Sequence, residues 1–147
     1  MTAIDSQTAI YNPALSGPVR RFLEPPRFAI AATLNADGSP IQAVIWYLID
    51  GDEIVFNSRL GRRWPSNLLR DPRVSITVAD GYDYVDLRGA VEIDTDPERS
   101  QAVIAQLTRR YRRDSELAEA QIAGFRREQR VTFRLRPAKV FARLSDS

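Results

Sequence analysis

The segment Asn57-Ser58-Arg59-Leu60-Gly61-Arg62-Arg63-Trp64-Pro65-Ser66-Asn67 reads as a strand end that passes through a glycine turn into a helix N-terminus. Free backbone N–H groups, the positive end of the helix dipole and two or three guanidinium groups then converge on one space, and guanidinium matches phosphate oxygens bidentately. That is chemistry for holding an anion; the plainer reading of the same residues is a solvated basic turn. Trp64 sits inside the charge cluster, where its indole either offers a flat stacking surface for a planar heterocycle or plugs the core beneath the helix. In Gln42-Ala43-Val44-Ile45-Trp46-Tyr47 strict alternation fails because bulky apolar groups occupy both faces. One face meets the core, and the other is open to a flat aromatic ligand, a second subunit or further core packing. Tyr82 and Tyr84 flank Asp83 in a polar turn and either line a pocket mouth or anchor the turn.

The composition removes most other chemistry. The 147 residues contain neither His nor Cys, which excludes disulfides, thiolate nucleophiles, catalytic triads, zinc fingers and histidine-ligated haem. Carboxylates are scattered through turns, so no paired acid/base site and no metal site is expected, and reactivity would have to be borrowed from a bound group. The 21 basic and 19 acidic residues nearly balance, and all the basic ones except Lys139 are Arg. That balance, without a recognisable nucleic-acid module, argues against a nucleic-acid partner. Arg109, Arg110, Arg112 and Arg113 are expected on the solvated face of a helix. No apolar run approaches the roughly 18 residues of a membrane span, and no basic-then-apolar leader opens the chain, so a cytoplasmic protein is expected.

The elements that would position these residues follow from periodicity. Residues 1–13 read as a loose arm that could drape over a partner subunit, and 14–147 as one domain. A short helix ends at Pro25-Pro26. Phe28 to Leu34 and Ile41 to Ile49 form a hairpin around Asn35-Ala36-Asp37-Gly38-Ser39, and Glu53 to Ser58 continues the antiparallel meander past Asp50-Gly51-Asp52. A helix of about two turns runs from Pro65 to the Asp71-Pro72 stop. Strands at Val74 to Val78 and Val85 to Asp94 follow, the second expected to bend at Gly89. Val103, Ile104, Leu107 and Tyr111 mark one helix, and Leu117, Ala118, Ile122 and Phe125 another. The last strand spans Arg130 to Arg143 with a kink at Pro137. This is a mainly β fold of six or so antiparallel strands with a few flanking helices.

The run FAIAATLNADGSPIQAVIWY, then IVFNSRLGRRWPSNLLRDPRVSITV, YVDLRGAVEID and RVTFRLRPAKVFAR, resembles the pyridoxamine-phosphate-oxidase-like split β-barrel flavoproteins, FMN-binding-protein-like in fold. It is similar to the branch that uses the deazaflavin coenzyme F420. The resemblance covers about residues 14 to 143 and implies a homodimer with cofactor sites at the subunit interface. It carries the positions along the cofactor ring and tail onto Gln42, Ala43, Val44, Ile45 and Trp46, and the phosphate contacts onto Asn57, Ser58, Arg62 and Arg63. Many members have Lys three residues before the helix Asn; here Trp64 stands ahead of Asn67, with Arg63 in place of the lost charge. Trp46 and Trp64 would shape the ring site. The implied activity is hydride transfer between reduced F420 and a conjugated small organic acceptor, with no catalytic side chain and with solvent, Tyr82 or Tyr84 supplying a proton. An FMN-dependent oxidase or reductase, or a non-enzymatic cofactor-binding protein, are the alternatives.

Overall fold

The computed structural model describes residues 7–10 and 15–145. Helix α1 (Gly17–Leu23) begins where the Ser16 hydroxyl accepts from the Val19 N–H, with proline in its first turn, and it buries Val19 and Leu23. Hairpin β2 (Ala29–Leu34) and β3 (Pro40–Ile45) leads to β4 (Leu48–Asp50) and β5 (Glu53–Arg59). Helix α2 (Arg63–Arg70) follows, then β6 (Arg73–Asp80), β7 (Asp83–Asp94), α3 (Pro97–Tyr111), α4 (Ser115–Phe125), β8 (Arg130–Leu135) and β9 (Lys139–Arg143). All strand pairs are antiparallel.

The sheet runs β3-β2-β6-β7-β8-β5-β4, and because β4 continues β3 along the chain, it curls back on itself. Among the described residues β3 pairs only with β2, and β4 covers β5 only as far as Val55, so the barrel stays split between the end of β3 and the end of β5. The interior holds Ile54, Phe56, Ile76, Leu87, Phe133 and Leu135, all nearly inaccessible. Outside, α3 packs Ile104 and Leu107 onto Leu48 and Val55. The mainly β, split-barrel expectation holds.

Two expected strands are interrupted, each for a local reason. The second breaks at Trp46-Tyr47, where α3 takes over the backbone: the Tyr111 hydroxyl accepts from the Tyr47 N–H at 3.2 Å, and Arg110 Nε donates to the Tyr47 carbonyl at 2.9 Å. The last breaks around Pro137, which has no N–H to give the ladder. The bend expected at Gly89 is present: β7 pairs with β9 through Arg88 and with β8 from Val91. A Cβ on Gly89 would lie 3.0 Å from Leu135 Cδ1 and 3.2 Å from the Ala138 nitrogen, so any larger residue would have to push its neighbours back by a few tenths of an ångström. Part of the expected loose arm is instead β1 (Gln7–Ile10), paired with β9. The rest of that arm lies outside the described residues.

Candidate functional site

The split in the barrel is a cleft of about 290 Å³. Alternation along β5 sends Ile54 and Phe56 into the barrel and Val55 and Asn57 outward under α3, with the exposed Arg59 on the same face. Gly61, at φ 97°, makes the turn that returns the chain to α2 with Arg62 at its N-cap. Arg59, Arg62 and Arg130 line the polar side of the cleft with Asn57 and Glu128, while Val44, Trp46 and Phe125 line an apolar side.

Arg130 is the most constrained of these groups. Its side chain is 7% exposed, Nε donates to Asn57 Oδ1 at 2.7 Å, Nη1 donates to Glu128, and the guanidinium lies 4.6 Å from the Phe125 ring centre. Asn57 Nδ2 donates in turn to the Ser100 carbonyl and Thr132 Oγ1, both at 3.0 Å, which ties the cluster to α3. Burial pulls the Arg130 guanidinium below the usual arginine range; Glu128 offsets part of this, and Arg62 and Arg59 push it down further. Arg59 and Arg62 are exposed and have no ion-pair partner among the described residues.

Six of the residues expected to hold the cofactor come together here: Val44, Ile45, Trp46, Asn57, Arg62 and Trp64. The others do not. Gln42 and Ala43 line a shallower depression on the outer sheet face with Ile30 and Thr77, and Val44 borders both spaces. Ser58 is buried and its hydroxyl has no partner among the described residues. Asn67 is buried and staples α2 to the β2–β3 hairpin, donating to Thr33 Oγ1 at 3.2 Å and Asn35 Oδ1 at 3.0 Å. Arg63 is exposed outside the cleft, where its charge is felt by Asp37, a carboxylate held low first by its hydrogen bonds from Ser39.

The structure decides between the two readings of Trp64 and between those of Tyr82 and Tyr84. Trp64 offers no free stacking face: it is 5% exposed, with its ring centre 5.8 Å from Phe56 and 5.7 Å from Phe133, so it borders the cleft as core. Tyr82 and Tyr84 do not line the cleft; Tyr82 is 87% exposed and Tyr84 packs on Phe141. Trp46 is held by α3, its ring stacked on Tyr111 at 5.2 Å and 6°, with the Arg112 guanidinium 5.3 Å from its centre. Arg110 also departs from the solvated face expected for its run. It donates to the carbonyls of Leu23, Glu24, Pro25 and Tyr47.

The sequence marks Phe125 as part of a helical stripe and Arg130 as the start of a strand, and gives neither of them, nor Glu128, a place in the site. Alternation from Arg130 to Leu135 marks Arg130 only as a polar-face residue, and the one signal that would have found it is the register that sets it opposite Arg59.

The sequence matches the family described as Pyridoxamine 5'-phosphate oxidase over residues 15–143. The chain belongs to that family. Solved structures agree with its fold, that of flavin-type oxidoreductases. An F420 Reductase is 28% identical, over 82% of this chain and 94% of that one, with a TM-score of 0.65. A conserved hypothetical protein from Mycobacterium tuberculosis is 24% identical, over 90% and 89% of the two chains, with a TM-score of 0.74. The heme storage protein from Vibrio cholerae shares the fold at 19% identity, over 84% and 90%, with a TM-score of 0.63. No curated protein matches in sequence.

Proposed function

We propose that this family member is an F420-dependent oxidoreductase that transfers a hydride between the reduced deazaflavin and a conjugated small organic acceptor, working as a homodimer. The observation that carries the reading is the convergence of Arg59, Arg62 and Arg130, with a single carboxylate, beside the apolar wall of Val44, Trp46 and Phe125. The donor set suits a cofactor with an anionic tail and a planar ring: the guanidinium groups take the anion, and the apolar wall takes the ring. The F420 Reductase among the similar structures supports the choice of deazaflavin.

When bound, the deazaflavin supplies the hydride chemistry that a chain without His or Cys lacks. Arg59 and Arg62 bind the tail. Trp46, fixed by Tyr111, sets one wall and excludes water from it. Glu128 is the only carboxylate at the cleft among the described residues and is engaged by Arg130, so solvent is the proton source. For the second subunit, the support is an outward apolar patch in which Val44 and Ile30 are directly paired, with Phe28 two residues before Ile30; Val44 and Phe28 are 64% and 62% exposed.

Titrating F420 and FMN separately, and following oxidation of reduced F420 with a panel of conjugated acceptors, tests the proposal. F420 binding with acceptor-dependent turnover is expected. Preferential FMN binding would replace the cofactor assignment, and F420 binding without turnover on any acceptor would make the protein a carrier.

A further inference from the structure

Arg59 and Arg130 are directly opposed on β5 and β8, and both line the cleft with Arg62. Like charges facing each other across two strands are destabilising. The fold answers that repulsion at one point. Glu128, two residues before Arg130 in the loop after α4, accepts a hydrogen bond from Arg130 Nη1. Three guanidinium groups against one carboxylate still leave the cleft an excess of two positive charges.

The geometry around Arg130 is that of a prepared receptor. Asn57 fixes Nε, Phe125 covers the guanidinium, and Nη2 has no hydrogen-bond partner among the described residues. A rigid, buried guanidinium with an unused N–H edge on a cleft suits an oxyanion that accepts in its plane. The loop bearing Glu128 is pinned through its backbone, because Gln101 Nε2 donates to the Phe125 and Glu128 carbonyls at 2.8 and 3.0 Å. The Glu128 side chain, by contrast, is 32% exposed, so its carboxylate can leave Arg130 without moving the loop.

We propose that Arg130, with Arg59 and Arg62, forms the deep anion subsite of the cleft, that it takes an oxyanion of the phosphate class, and that Glu128 is the resident counter-ion this anion displaces. The inference rests on the proposed function in placing a ligand's anionic group in this cleft. It adds the residue that receives the anion and the carboxylate that competes with it. Binding is then an exchange of one oxyanion for another on Arg130, and Glu128 both relieves the repulsion in the free protein and limits affinity.

Inorganic phosphate is the probe, titrated against wild type, Glu128→Gln and Arg130→Lys, with the fluorescence of Trp46 and Trp64 at the cleft as readout. Glu128→Gln removes the competitor and should bind phosphate about tenfold more tightly, with a steeper loss of affinity on adding salt. Arg130→Lys keeps the charge but loses the planar fork, and should bind about tenfold more weakly. Phosphate affinity of Glu128→Gln within about twofold of wild type, or weaker, would overturn the proposal whatever the fate of the Arg130 variant. A parallel F420 titration separates the two readings. The expected phosphate pattern without F420 binding keeps the subsite and removes the cofactor assignment, whereas equal F420 binding by all three proteins keeps the cofactor and overturns the subsite.

Discussion

Arg110 and Arg130 both reach from the helical layer's side of the barrel onto backbone or strand, and both lie against aromatic rings, yet they are bonded in opposite ways. Arg110 spends Nε, Nη1 and Nη2 on four neutral carbonyls that end α1 and interrupt the strand at Tyr47. Arg130 has one amide oxygen and one carboxylate, an Nη2 with no partner among the described residues, and two further cations close by. A guanidinium whose three nitrogens are all answered by the chain's own carbonyls is part of the frame. One left partly unanswered and crowded by like charge is arranged for something from outside.

The largest expected effect tests the frame half of that contrast. Arg110→Ala removes the donors to four carbonyls and should lower stability by about 2–3 kcal/mol, read as a lower urea midpoint at unchanged slope. Cofactor affinity in the surviving folded protein should stay within about threefold. If stability held and affinity collapsed, the two arginines would have exchanged roles.

A smaller effect sharpens the same region. Burial, with Tyr111 adding to it, pushes the Tyr47 hydroxyl up to about 12. The folded state therefore keeps a proton that the unfolded chain loses near pH 10, and this contribution is full below pH 10 and is lost as pH rises toward 12. Tyr47→Phe should cost about 1 kcal/mol at neutral pH through the lost hydrogen bond to the Leu23 carbonyl, and should flatten the alkaline decline in stability. An unchanged alkaline slope would place the titrating group elsewhere.

Much of the frame was legible in the chain because it is local. The hairpin turns, the stop before Pro72, the bend at Gly89 and the stripe along α3 are each written within a dozen or so residues. The site was half legible. The Asn57 to Asn67 segment and Trp46 were visible as types at a spacing, and Arg62 and Trp46 do meet at the cleft. The opposition of Arg59 and Arg130 depends on a register between strands far apart in sequence, which alternation cannot supply. Trp64 and Asn67 share a segment with Arg62 but turn inward, because a helical step of one or two residues changes which side faces the core. For the same reason Arg110 and Arg109 are unlike neighbours, one capping backbone carbonyls and the other paired with Glu119 at the surface.

The smallest structural change gives the most direct test. Arg62 and Arg63 are adjacent, exposed and equally charged, but only Arg62 lines the cleft. Fluorescence titration of F420 into Arg62→Ala and Arg63→Ala at one ionic strength should show affinity falling about tenfold or more for the first and less than about twofold for the second. Equal losses in both variants, or a loss only in Arg63→Ala, would contradict a cofactor held in the split of the barrel.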